Sequence, residues 1–242
     1  MTAGPSHPTG LSLRPTAQLV CTLHFHQPTG VGPKALDRAF DDYYDVLLDV
    51  LEEDPNLRLN LHFTGTILEH ALAHHPAFLD RLRVLWKDDR VELLGGAFHD
   101  PVLTSIPERD ALGQIQYTSN FYEQHFGRRP QGAWLSLRAW DSALIRLLAG
   151  AGIRYTLLDD AQFVVAGLHP DSLQGYYTTE RDGHTISVFP IDHDLGRAVQ
   201  RKDRAGMLAT LGALGGRSGR PADGVEVFAG DGQALMEQGG LG

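Results

Sequence analysis

Two histidines one residue apart, His24 and His26, close an apolar run, Leu19–His26 (LVCTLHFH). Residues two apart on a strand share a face, so both imidazoles point the same way. A pair of imidazoles on one face can hydrogen-bond a polyol or ligate a metal. Similar groups recur just past other apolar runs. They are His62 and Thr64, then His99-Asp100 after Gly95-Gly96, then Trp134, Arg138 and Trp140 in WLSLRAW, then Asp159-Asp160, and last Asp231 between Gly230 and Gly232. His, Asp, Trp and Arg gathered at such positions suit an enzyme of polar substrates, or its descendant. A metal site at His24 and His26 needs a carboxylate or a third His beside them, and His99, Asp100 and Asp160 are the residues that could supply it.

These groups need elements to position them. Lys34–Glu53 carries Leu36, Phe40, Tyr44, Leu47, Leu48 and Leu51 at helical spacing, with Asp37, Asp41, Asp45 and Asp49 opposite. Asp54-Pro55 ends that helix. Leu57–Thr64 alternates as a strand. Ile67–Trp86 reads as helix interrupted at Pro76, with His74-His75 as a solvated helix end. Val91–Ala97 is a third strand. Ser105 and Glu108 have the spacing of a capping box, opening a helix to about His125. Ala133–Leu137 is a fourth strand, which would turn Ser136 away from Leu137. Trp140–Leu148 is a helix, Tyr155–Leu158 a fifth strand, and Tyr177–Ile191 a hairpin around Asp182-Gly183. Arg204–Leu214 is read as helix, 215–224 as a Gly-rich loop, and Val225–Phe228 as a last strand. The βα order implies a parallel sheet, barrel or doubly wound, with ligands at the carboxyl ends of its strands.

The composition narrows the class. The 242 residues are 42% apolar and 21% charged, as in globular proteins. The net charge of −9, from 30 acids and 21 bases, argues against nucleic acid, which needs clustered Lys and Arg. No apolar run reaches the roughly 18–20 residues of a membrane span. The single Cys21 excludes an internal disulfide and a Cys-based zinc site. The opening MTAGPSHPTGLSLRPTAQ has no apolar leader region, so residues 1–17 are expected to be a flexible lead-in and the location cytoplasmic.

Several stretches, in order, resemble the motifs of the N-terminal catalytic domain of glycoside hydrolase family 57. His24–Pro28 matches its H-x-H-Q-P. The run Leu94–Leu103, with Ser105-Ile-Pro after it, is similar to its G-G-[FY]-[YF]-E-P-[IV]-L, with Asp100 for Glu and His99 for the aromatic. WLSLRAW resembles W-L-[TA]-E-R-V-W, YTLLDDAQF resembles Y-x-[VL]-x-D-D-x-x-F, and Asp231-Gly232 stands where D-G-E-x-F-G begins. The resemblance covers roughly 18–232 and implies an α/β fold, an incomplete (β/α)7 barrel of the glycoside hydrolase/deacetylase type, lacking the family's C-terminal helical domain. Residues 233–242 are expected to be a Gly-rich tail.

The family includes α-amylase-type enzymes, 4-α-glucanotransferases, amylopullulanases and branching enzymes. It retains configuration, using a Glu nucleophile and an Asp acid/base. The resemblance places the acid/base at Asp231 and the nucleophile position at Leu137. Leucine has no lone pair and cannot form a glycosyl-enzyme bond. It implies substrate contacts at His24, His26, Gln27, Asp100, Trp134, Arg138, Trp140 and Asp160, with no cofactor and no assigned metal. The expected partner is α-glucan or maltooligosaccharide, bound with weak or no hydrolysis. Two alternatives stay open. One is an active hydrolase or transferase with a substitute carboxylate such as Asp100, Asp141 or Asp160. The other is a metal-dependent, polysaccharide deacetylase-like hydrolase.

Overall fold

A computed structural model describes residues 18–239 apart from 174, 204, 207 and 209–224. The expected lead-in 1–17, most of the expected helix from Arg204 and the loop 215–224 lie outside the described residues. The strands are β1 (Gln18–Phe25), β2 (Leu59–Phe63), β3 (Val91–Leu93), β4 (Gly95–Gly96), β5 (Gly132–Trp134), β6 (Tyr155–Asp159), β7 (Tyr177–Arg181), β8 (His184–Ile191) and β9 (Val225–Asp231). Their order is β3-β2-β1-β9-β8-β6-β5-β4, with β7 antiparallel on β8. The two ends of that order, β3 and β4, are separated in the chain by Leu94 alone. Leu94 continues the ladder, its N–H donating to Leu61 O at 2.9 Å. The path therefore returns on itself as a barrel of seven parallel staves among the described residues. Its thinnest seam is between β8 and β9, registered at Ile191 and Val227.

Strand alternation divides the apolar residues. Leu94, Trp134, Leu157, Ile191, Val227 and Ala229 fill the barrel interior. Leu23, Phe25, Leu61 and Phe63 face outward, into a cluster with Phe40, Tyr44, Leu48, Leu51, Leu68 and Phe78 from the helices. A second outer cluster lies under Ile115, Leu144 and Leu148. The helices are α1 (Pro33–Ala39) and α2 (Asp45–Glu53), joined by a π-helical turn, Phe40–Tyr44. They are followed by α3 (Gly65–His74), α4 (Pro76–Lys87), α5 (Glu108–Phe126), α6 (Leu144–Gly150), α7 (Asp160–Val165), α8 (His193–Gln200) and α9 (Gly232–Gly239). None of them is long and apolar enough to cross a membrane. All six apolar positions read on the first helix are buried. Opposite them, Arg81 pairs with Asp45 at 3.1 Å and Glu52 at 2.9 Å.

Local expectations differ in four places. The capping box does not form, because Pro107 is the N-cap and Ser105 ends a short 3₁₀ turn, Leu103–Ser105. β5 stops at Trp134, and Ser136–Arg138 is a 3₁₀ turn. The helix expected from Trp140 begins at Leu144. The expected tail starts as α9, because the Asp231 carboxylate accepts from Ala234 N at 2.8 Å and opens a helical turn.

Candidate active site

Strand register sets the first part of the site. In the parallel pairings His24 lies beside His62 on β2 and beside Asp231 on β9. Residues in register share a face, so the three occupy one row at the carboxyl end of the barrel. His24 Nδ1 and His62 Nδ1 are 2.8 Å apart, one donating and the other accepting. The accepting ring must be neutral with its Nδ1 bare, and the donating ring carries a proton on Nδ1. Burial, with His26 and Arg138 nearby, lowers the His24 pKa to about 3. Burial also drives His62 well below its ordinary value, and the neighbouring His24 and His26 add to this. Trp134 stacks on the face of the His24 ring at 4.7 Å and 12°. Its approach needs Gly96 on the neighbouring strand, where a Cβ would lie 2.3 Å from the Trp134 carbonyl oxygen.

The loop after β4 brings the second part. Phe98 is buried and fixes the loop, its carbonyl accepting from Gly65 N at 2.6 Å. His99 turns outward while Asp100, at φ 54°, turns in. The Asp100 carboxylate is only 8% exposed and lies 3.4 Å from His26 Nδ1 and 3.8 Å from His24 Nε2. Burial raises its pKa to about 6, against the opposing pull of the neighbouring His26 and Ser136. His24, His26 and Asp100 offer three ligand atoms within 4.8 Å of one another. A second such group, Asp37, His70 and His75, sits among the helices.

The third part is the turn after β5. Leu137 and Arg138 both have positive φ, 53° and 51°, which side chains larger than glycine adopt at a cost of about 1–2 kcal/mol each. Backbone bonds from Arg138 N to Leu135 O (2.8 Å) and Ala139 N to Ser136 O (3.1 Å) hold the turn. Arg138 Nε lies 2.7 Å from Asp159 Oδ1. Ser136 Oγ donates to Asp100 O at 2.9 Å, tying this turn to the Asp100 loop. Leu137 is 83% exposed, so it is not core filler.

A cleft of about 510 Å³ joins the three parts, lined by His24, His26, Asp100, Val102, Trp134, Ser136, Leu137, Arg138 and Asp231. Seven of the ten residues singled out in the sequence therefore meet there. Three do not. Gln27 is held away from the cleft, its Nε2 donating to Gln233 Oε1 (2.8 Å) and Tyr44 Oη (3.1 Å). Trp140 packs against the second outer core cluster. Asp160 begins α7 and accepts from His193 N at 3.4 Å. Its neighbour Asp159 is the carboxylate that reaches the site, by way of Arg138. Ser136 was expected to face away, yet it lines the cleft beside Leu137, because the turn replaces strand alternation. His75 is not a solvated helix end either. It stacks on Phe40 at 4.1 Å and, with His70, hydrogen-bonds Asp37.

The family model described as "Glycosyl hydrolase family 57" matches residues 20–205. "Alpha-amylase 1" of Dictyoglomus thermophilum is 34% identical over 173 residues, which are 72% of this chain and 25% of that protein. A 4-alpha-glucanotransferase of Thermococcus litoralis is 38% identical over 173 residues, 72% of this chain and 26% of that protein. The chain thus spans about a quarter of the length of these relatives. The crystal structure of the Thermococcus litoralis 4-alpha-glucanotransferase superposes with a TM-score of 0.79 at 33% identity, over 90% of this chain and 33% of that one. A polysaccharide deacetylase described as putative, from Mycobacterium smegmatis, shares the fold alone, at TM-score 0.60 and 16% identity over 97% of this chain and 86% of that one.

Proposed function

The chain belongs to glycosyl hydrolase family 57, and from that membership we propose that its cleft binds α-1,4-glucan and hydrolyses it weakly or not at all. The observation that carries this reading is Leu137. It stands exposed on the cleft, on a strained turn, at the position where the family resemblance puts the attacking carboxylate. Retention needs two carboxyl groups about 5–5.5 Å apart, one to attack the anomeric carbon and one to protonate the leaving oxygen. Asp231 opens to the same cleft and serves as the acid. No covalent intermediate forms on a leucine.

The remaining lining suits a sugar. Trp134 offers an aromatic edge beside the His24 ring. His26, half exposed, and Arg138 offer donors to hydroxyl groups. Titration calorimetry with maltooligosaccharides tests the reading. Binding at or below millimolar ligand, with little or no product released, is expected. Heat-silent titration at millimolar ligand overturns it.

A second reading has one observation in its favour. Asp100 lies in the cleft with its pKa raised toward neutrality, a suitable value for a base that activates water. Water attack would invert the anomeric centre, with carboxyl groups about 6.5–9.5 Å apart. Inverted product from amylose, abolished by Asp231→Asn, would establish it. Turnover that survives Asp231→Asn removes Asp231 from the mechanism.

A further inference from the structure

We propose that the cleft holds a divalent transition-metal cation, with His24 Nε2, His26 Nδ1 and Asp100 Oδ2 as its protein ligands. The inference rests on the reading of this cleft as the sugar site and adds to it the group that a sugar hydroxyl or a water would meet there.

The spacing is the first argument. Charge-assisted hydrogen bonds between nitrogen and carboxylate run about 2.7–2.9 Å. Asp100 Oδ2 is 3.4 Å from His26 Nδ1, a long and weak hydrogen bond, and 3.8 Å from His24 Nε2, beyond hydrogen-bond reach. Around a cation with bonds of about 2.0–2.2 Å, neighbouring ligand atoms are about 3–3.6 Å apart, so a small inward movement seats an ion. The Asp37 group makes the contrast. There the same residue types close to 2.7 Å (His70) and 3.0 Å (His75), a completed hydrogen-bonded trio.

The orientation of His24 is the second argument. A ligating imidazole ordinarily uses its other nitrogen to bond a neighbour, which fixes the tautomer. The Nδ1 of His24 is engaged by His62 at 2.8 Å, and Trp134 covers a ring face. With the proton on His24 Nδ1, the Nε2 lone pair is free, and that nitrogen lies 3.8 Å from Asp100 Oδ2.

The donor set is the third. Two imidazoles and one carboxylate select a cation such as Zn²⁺ or Co²⁺ over Mg²⁺ or Ca²⁺, which prefer all-oxygen sites. Three protein ligands leave a position open toward the cleft.

The test uses the full chain, stripped with chelator and titrated with Zn²⁺ by calorimetry and with Co²⁺ by visible absorption. One equivalent per chain is expected. His26→Ala, at a half-exposed side chain, and Asp100→Asn should each weaken binding about tenfold or more, and His75→Ala should leave it unchanged. The proposal falls if neither ion binds, if His26→Ala and Asp100→Asn leave binding intact, or if His75→Ala is the variant that loses it. Maltooligosaccharide titrations of both the stripped and the cation-loaded protein separate the two readings. Sugar binding without cation binding overturns the cation site alone, and cation binding without sugar binding overturns the glucan reading.

Discussion

Asp231 stands beside His24 in the pairing of β9 with β1, at the end of the row that continues to His62. The cleft thus keeps an acid on one side while the facing turn presents Leu137. This asymmetry leads to the first prediction. Leu137→Glu should produce measurable cleavage of maltooligosaccharides. Glutamate and leucine meet the same penalty at φ 53°, so the exchange adds no backbone strain. Adding Asp231→Asn should remove the gained activity by about a thousandfold or more, since paired catalytic groups act as a unit. Chromatography of the released sugars reads both results. A folded Leu137→Glu protein that cleaves nothing would overturn the proposal that Leu137 is what limits turnover.

Gln27 gives the second prediction. Its side chain joins β1 to α9 through Gln233 and reaches Tyr44, away from the cleft. Gln27→Ala should therefore loosen α9, removing bonds of about 1 kcal/mol each, and raise amide exchange across 233–237. Maltooligosaccharide affinity should change less than about threefold. A tenfold loss of affinity with unchanged exchange would make Gln27 a substrate contact instead.

The sequence made the barrel legible because periodicity and βα order survive packing. The His-x-His pair was legible for the same reason, since strand alternation aims both rings at the mouth. Alternation failed where the chain left the sheet. Nothing in Ser136-Leu137-Arg138 signals two successive residues at positive φ, so Ser136 was expected to face the wrong way. Asp160, expected in the site, directly follows Asp159, which pairs with Arg138. At a strand end, a shift of one residue reverses the face. The role of His62 as partner of His24 depends on inter-strand register, which spans 38 positions. The Gly-rich end hid α9 because its start is fixed by the Asp231 cap and by Gly232 lying against Phe25, where a Cβ would come within 2.3 Å of the ring.

Gly96 carries the third prediction. It has φ 135°, and a Cβ there would meet the Trp134 carbonyl oxygen at 2.3 Å. The opposing atom is backbone in a paired strand, so it cannot swing aside. Gly96→Ala should cost about 2 kcal/mol or more of stability in urea unfolding. It should also disturb the stacking of Trp134 on His24, readable as altered tryptophan fluorescence. An unchanged unfolding midpoint would mean that β4 and β5 are not held this closely.

The last prediction concerns Asp37, far from the cleft chemistry. Hydrogen bonds from His70 and His75 lower its pKa below the ordinary carboxylate value of 3.8. The folded state thus holds the charged form more tightly than the unfolded chain does. A carboxylate of this kind contributes stability above the unfolded pKa and loses it as pH falls through the folded one. Asp37→Asn should therefore be less stable than the parent at pH 7, and the gap should close below about pH 3.8 as the parent's carboxylate protonates. Urea unfolding of both proteins across pH 2.5–7, a range set by that carboxylate value, measures the gap. The histidines bridge α1 to the α3–α4 junction, so removing the charge both of them bind also loosens His75 in its place over Phe40. A gap that stays constant with pH would mean that Asp37 acts by packing alone, and that its charge does not hold the junction together.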